Sequence, residues 1–233
     1  MRPDTGAQRT LTPLRPVRTT WRTMRTLGLA AALAAPLAGC TQTQTTGQSP
    51  AYLIIDSLAG APGAEPDDFS GVLASDVVTN VKTQIDINGE TQTVAVPTIF
   101  ADNGRAIFRL AMKDPGSVDS PNRPSTSNFI TLNRYRVQYI RADGRNTPGV
   151  DVPYPFDGGI TATVGDNGAT AQFTVVRIQA KQEAPLLPMT FGGGANTISA
   201  IAEITFFGTD QAGRAVNVTG TLGVDFSDWG DPE

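Results

Sequence analysis

Apolar and polar residues alternate with a period of two along most of this chain, and turn dipeptides separate the alternating runs. Every second residue from 81 to 87 is apolar or threonine, the run ends at Asn88-Gly89, and Val94 and Val96 resume the alternation. Both residues of an Asn-Gly turn adopt positive φ, so this dipeptide between two alternating runs predicts a β-hairpin. Such a pattern requires strands joined by tight turns.

The same combination of run and turn recurs towards the C terminus. Further turns are predicted at Asn103-Gly104, Asp143-Gly144, Asn167-Gly168 and residues 210–213. No stretch after residue 50 has the 3.6-residue apolar period of an amphipathic helix. Nine or ten strands without crossover helices predict an antiparallel all-β domain. We expect an immunoglobulin-like β-sandwich, with a jelly roll or a related barrel as the alternative.

The alternation also predicts which large side chains face the core, because side chains of a strand point alternately to its two faces. Five of them, from five different runs, are expected on inward faces: Phe108, Tyr135, Phe173, Phe206 and Leu222.

The N-terminal segment has a different pattern. Arg22 and Arg25 precede an apolar run over residues 27–38, which is too short to span a bilayer. A basic lead followed by a short apolar core is typical of a secretory signal. The run ends in Leu37-Ala38-Gly39-Cys40, which resembles the lipobox of bacterial lipoprotein precursors. The resemblance implies cleavage before Cys40, acylation of its sulfur with palmitate or a similar chain, and anchoring to a membrane.

These features divide the chain into three parts. Residues 1–39 are predicted to be a signal peptide, with Met24 as a possible true start. Residues 40–50 comprise the lipidated cysteine and a polar, uncharged tether, and residues 51–233 form a single β-sandwich domain.

Composition excludes several classes of function. Residues 40–233 carry 12 basic and 21 acidic side chains, a net charge of −9, whereas nucleic-acid binding needs a basic surface. Histidine is absent from the chain, which removes the commonest general base and transition-metal ligand. No catalytic motif is recognisable, so we expect no enzyme, no cofactor and no metal site.

Three aromatic residues are the candidate binding residues. Tyr154 and Phe156 lie between prolines in a long loop over residues 148–159, where exposed rings could hold a sugar or a peptide. The alternative is that both rings cap the core. Trp229 lies in an acidic segment, residues 225–231, and either docks a partner or covers the end of the sandwich.

Polar and charged side chains have weaker functional interpretations. The aspartates 67, 68, 102, 166 and 210 are all predicted in loops or turns, where aspartate caps the backbone. Calcium binding by these aspartates, or by those of the C-terminal segment, is the alternative. Arg134, Arg136, Arg141 and Arg145 are expected on a solvated strand face and its turn, with recognition of an anion as the alternative.

Together these observations predict a lipid-anchored protein of the bacterial cell envelope with a non-catalytic binding or structural role. The residue after Cys40 is Thr41. An aspartate at this position resembles the inner-membrane retention signal of enterobacterial lipoproteins, so its absence favours the outer membrane. The predicted partners are the membrane, through Cys40, and an envelope protein. A small-ligand or carbohydrate-binding module is the first alternative, and an aspartate-dependent hydrolase is the second.

Overall fold

The computed structural model describes residues 47–191 and 196–231, all of which belong to one compact unit. They contain three short helical turns, the 3-10 turns Thr126–Asn128 and Leu187–Phe191 and the helix α1 (Ile178–Lys181). None of the helices in these two ranges is long and apolar enough to cross a bilayer. The same two ranges contain ten strands, which are β1 (Ala51–Ala61), β2 (Val72–Asp76), β3 (Thr79–Ile87), β4 (Glu90–Thr98), β5 (Asp102–Met112), β6 (Ile130–Ile140), β7 (Phe156–Val164), β8 (Ala169–Val176), β9 (Ile198–Asp210) and β10 (Ala215–Ser227).

The strands form three sheets. One has the order β1-β5-β8, the second has the order β2-β10-β9-β6-β7, and the hairpin β3-β4 stands as a sheet of its own. Neighbouring strands are antiparallel except β2 and β10, which pair in parallel. The prediction of a mostly β, mostly antiparallel domain is therefore confirmed. The two larger sheets are joined through the consecutive strands β7 and β8 and curl into a half-barrel.

Most of the predicted turns are present. Asn88 and Gly89 link β3 to β4 with φ values of 57° and 83°, the positive-φ pair that the dipeptide predicts. Gly144, Gly168 and Gly213 also adopt positive φ in the predicted turns.

The turn predicted at Asn103-Gly104 is wrong, because both residues lie within β5 and pair with β8. A Cβ atom on Gly104 would lie 2.5 Å from Cζ of Phe173. Gly104 therefore leaves space for the Phe173 ring within the sheet, and the chain does not reverse its direction there.

The core lies between the two larger sheets, and its assignment from alternation is confirmed. Phe108 and Phe206 are fully buried, and Tyr135, Phe173 and Leu222 are at most 6% exposed. Phe108 and Phe173 come from the three-stranded sheet and meet Phe206 edge-to-face, with ring centroids 4.9 and 5.1 Å apart. Aromatic pairs prefer this geometry, in which a ring edge meets a ring face.

Truncation of Phe206 tests this register. Phe206→Ala should lower the free energy of unfolding by about 3–5 kcal/mol, because the ring is fully buried between the sheets. Thr205→Ala, whose hydroxyl lies 2.9 Å from Thr219 Oγ1 on the outer face, is the control and should cost less than half of that. Urea denaturation measures both free energies of unfolding. Equal losses would show that the two side chains are assigned to the wrong faces of β9.

Candidate functional site

A buried ion pair lies where the two larger sheets meet α1. Nζ of Lys181 is 2.8 Å from Oδ1 of Asp102, and the side chains are 1% and 0% exposed. The second carboxylate oxygen, Oδ2, accepts a hydrogen bond of 2.6 Å from the buried Ser75 hydroxyl. The backbone N–H of Gly63 donates to Oδ1 at 2.9 Å. Three other segments of the chain therefore converge on the Asp102 carboxylate.

This cluster connects parts of the fold that are far apart in sequence. Ser75 belongs to β2 of the five-stranded sheet, Asp102 begins β5 of the three-stranded sheet, and Lys181 ends α1. Burial raises the pKa of Asp102, while Lys181, Ser75 and Gly63 act in the opposite direction. A buried charge needs such partners, since an unpaired ion in the interior is strongly destabilising.

The cluster combines a hydroxyl, a carboxylate and an ammonium group, which are residue types that also occur in catalytic sites. Here all three side chains are buried, at 0%, 0% and 1% exposure, so a substrate has no path to the Ser75 hydroxyl. The arrangement links β2, β5 and α1 through one carboxylate. The prediction that Asp102 lies in a turn is wrong, because its carboxylate is required inside, where Lys181 and Ser75 neutralise and bind it.

Replacement of Lys181 tests how much the Lys181–Asp102 ion pair contributes to the free energy of unfolding. Lys181→Met leaves the Asp102 carboxylate buried without its counter-charge, and the expected loss is about 3–5 kcal/mol in the free energy of unfolding. The double variant Lys181→Met/Asp102→Leu should be more stable than the single variant, because no buried charge remains.

Urea denaturation of both variants tests this prediction, with Lys113→Met as the matched control. Lys113 donates to the Gly47 carbonyl at an exposed site, so its replacement should cost under about 1 kcal/mol. A Lys181→Met loss no larger than that of the control would contradict the role of the pair.

The C-terminal segment containing Trp229 is attached to the end of β2. The backbone N–H of Trp229 donates to Oδ1 of Asp76 at 3.0 Å, and its indole N–H donates to the Asp225 carbonyl at 3.3 Å. The Asp76 carboxylate also accepts from Thr79 Oγ1 at 2.6 Å. Trp229 keeps 38% of its surface exposed, so its ring is available to a partner. Docking by Trp229 stays a prediction.

One acidic side chain of this segment, that of Asp231, has a partner within the chain. Both carboxylate oxygens of Asp231 accept hydrogen bonds from Asn80, which lowers the pKa of Asp231. Among the residues that the structure describes, no group of three or more His, Cys, Asp or Glu side chains could hold a metal ion.

The two aromatic residues of the loop over residues 148–159 point to different environments. Phe156 is the first residue of β7 and is buried, with the guanidinium of Arg177 4.4 Å from its ring centroid. Tyr154 is 52% exposed and packs across Gly149, where a Cβ atom would lie 2.3 Å from the phenol oxygen. Of these two rings, Tyr154 is the one that a ligand can reach, and its binding role stays a prediction.

The four arginines of β6 and its turn are all paired with acidic side chains. Arg134 and Arg136 lie 3.1 and 3.7 Å from the carboxylate oxygens of Asp157, on the outer surface. Arg141 and Arg145 both bind Asp143 at 2.8 Å. These contacts are those of a solvated face that balances nearby acids.

The Asp143 carboxyl group gives a pH-dependent test. Hydrogen bonds from the backbone and side chain of Arg145 and from Arg141 lower the pKa of Asp143 to about 2. A lowered acid pKa stabilises the folded state above the unfolded value of about 3.9, and this contribution is lost as pH falls through the folded value. NMR titration should report this pKa, and Arg145→Ala should raise it. Arg136→Ala, which faces Asp157, is the control and should leave it unchanged.

An open groove of about 460 Å³ lies between β1 and β10, at the side of the fold opposite the β7–β8 connection. Its volume is within the range of small-molecule sites. The groove has one carboxylate among its lining residues, that of Asp56, and this group is bound to Arg109 at 2.6 Å. Tyr154 and Phe156 do not line it.

A scan against protein-family models finds no match, and searches of curated proteins and of solved structures also find none.

Proposed function

We propose that this chain is a lipid-anchored protein of the bacterial cell envelope. The observation that carries the proposal is Leu37-Ala38-Gly39-Cys40 at the end of an apolar run with a basic lead. These four residues lie outside the described residues, so the proposal rests on their sequence. Cys40 is the single cysteine of the chain and is the proposed site of acylation. Two or more acyl chains anchor a protein stably, since each buried methylene contributes about 0.8 kcal/mol.

The start of the described domain is consistent with an anchor at Cys40. The Gly47 carbonyl accepts from Lys113 Nζ at 2.6 Å, and the Pro50 carbonyl accepts from the Lys113 backbone N–H at 2.9 Å. The chain is therefore attached to the domain from residue 47, leaving residues 41–46 between Cys40 and the first attached residue. Six residues of coil span roughly 12–15 Å, so the proposal holds the domain close to the bilayer.

The proposed role of the domain is binding or structural. The hydroxyl, carboxylate and ammonium groups of the Ser75–Asp102–Lys181 cluster are buried and serve the fold. The exposed Tyr154 and Trp229 rings are the surface groups proposed for contact with an envelope partner. A net charge of −9 over residues 40–233 disfavours direct adhesion to anionic headgroups, so membrane attachment is assigned to the lipid.

Two finer points belong to the same proposal. We infer an immunoglobulin-like architecture, supported by two larger sheets that pack a common core of aromatic residues. We also infer the outer membrane, because the residue after Cys40 is Thr41 and not aspartate.

Replacement of Cys40 tests the anchor. Cys40→Ala in the full chain should abolish incorporation of labelled palmitate and move the protein from the membrane fraction to the soluble or unprocessed pool. Thr41→Ala is the matched control and should be labelled and retained like wild type. Equal membrane retention of Cys40→Ala and wild type, with no label in either, would contradict the proposal.

A further inference from the structure

The hairpin β3–β4 contains the longest run of solvent-exposed residues in the described part of the chain. It forms a two-stranded sheet of its own, and every residue from 82 to 97 is exposed. Four large apolar side chains on one of its faces, Ile85, Ile87, Val94 and Val96, are 36–43% exposed. A single two-stranded hairpin is marginally stable in water, and addition of strands stabilises it. The hairpin is therefore a candidate for pairing with another strand.

Hydrogen-bonding geometry identifies the groups that each strand directs outwards. The two-residue turn at Asn88-Gly89 is closed by the hydrogen-bonded pair Ile87 and Glu90. Because hydrogen-bonded pairs alternate in an antiparallel ladder, the odd-numbered residues of β3 bond to β4 and the even-numbered residues direct N–H and C=O to the free edge. Asn80 follows this rule, since its N–H donates outwards to Asp231 at 2.5 Å.

The two edges of the hairpin differ in their capacity to pair. Pro97 occupies an outward-directed position of β4, opposite Asn80, and has no N–H to donate. Proline on an edge is a common means of blocking strand addition. On β3 the outward-directed residues Lys82, Gln84 and Asp86 all carry an N–H. Pro97 therefore shortens the stretch of β4 that can pair, whereas β3 keeps an outward-directed N–H at each of these three positions.

The charged side chains along the β3 edge are arranged so that two copies of this edge are complementary to each other. Lys82 and Asp86 lie two residues before and after Gln84, on the face opposite Ile85 and Val81. An antiparallel pair of β3 strands with a two-fold axis at Gln84 places Lys82 of each copy opposite Asp86 of the other. Opposite charges across a strand pair are favourable. The same register puts the outward-directed groups of both strands in hydrogen-bonding positions.

We propose that two copies of this chain associate through their β3 edges, antiparallel and centred on Gln84. The product is a four-stranded sheet with an isologous interface. Its apolar face becomes continuous, because Val81 lies beside Ile87 of the second copy and Thr83 lies beside Ile85. This association does not depend on the proposed lipid anchor.

Charge reversal tests the register. In the full chain in detergent, Lys82→Asp and Asp86→Lys should each weaken dimerisation by about tenfold or more, since like charges then face each other twice. An equimolar mixture of the two variants should recover a dimer, because every facing pair is again of opposite charge. Sedimentation measures the dissociation constants, and thermal melting verifies that each variant folds.

Edge blocking gives an independent measurement. Gln84→Pro removes the N–H at the centre of the interface and should abolish the dimer. Thr93→Pro is the matched control, because it removes an outward-directed N–H from β4, and the dimer should persist. Gln84→Cys should form a disulfide with its own copy under mild oxidation, since directly opposed residues lie about 5.5 Å apart. Wild type and Thr93→Cys should remain unlinked.

Several results would overturn the proposal. These are a monomeric wild-type chain at all concentrations, a dimer that tolerates Gln84→Pro, and a mixture of the charge variants that stays monomeric. Recovery of a different envelope protein bound to the β3 edge of a monomeric chain would also overturn it.

Discussion

A single buried carboxylate holds the two larger sheets together at the end where α1 packs. Asp102 binds Lys181 from the helix, Ser75 from the five-stranded sheet and the backbone of Gly63, so its position fixes three segments at once. These three side chains are buried, and the geometry of each segment therefore depends on the others. The aromatic cluster around Phe206 provides the apolar part of the same contact. Two tyrosine hydroxyls of β6 add polar links to β8, Tyr139 to the Val175 carbonyl and Tyr135 to the Thr174 N–H.

Local features of the chain were predictable from sequence because local chemistry determines them. The Asn88-Gly89 hairpin follows from two adjacent residues that tolerate positive φ, and the burial of Phe206 follows from the two-residue period of its strand. The ion pair was not predictable, because Asp102 and Lys181 are 79 residues apart and neither has a distinctive neighbour. Asn103-Gly104 was misassigned for a related reason, since the residue that requires a glycine there, Phe173, is distant in sequence.

The exposure of the three candidate binding residues, Tyr154, Phe156 and Trp229, also depends on contacts with residues outside their own segments. The prolines on either side indicated that Tyr154 and Phe156 lie in a long loop, yet the Phe156 ring is buried against Arg177 and the Tyr154 ring is exposed over Gly149. Tertiary contacts decide which of two neighbouring aromatic rings reaches solvent, and a sequence does not list those contacts. Trp229 shows the same dependence, because its position is set by Asp76, a residue 153 positions earlier in the chain.

The parallel pairing of β2 with β10 has a consequence for the order of folding. β2 begins at residue 72, whereas the strand that holds it, β10, spans residues 215–227 and lies inside the five-stranded sheet. A chain that is synthesised from its N terminus therefore cannot complete this sheet until residues 215–227 are present, and such non-local pairing is slow. Until β10 is available, β2 has no neighbouring strand with which to pair, because it lies at the edge of the five-stranded sheet.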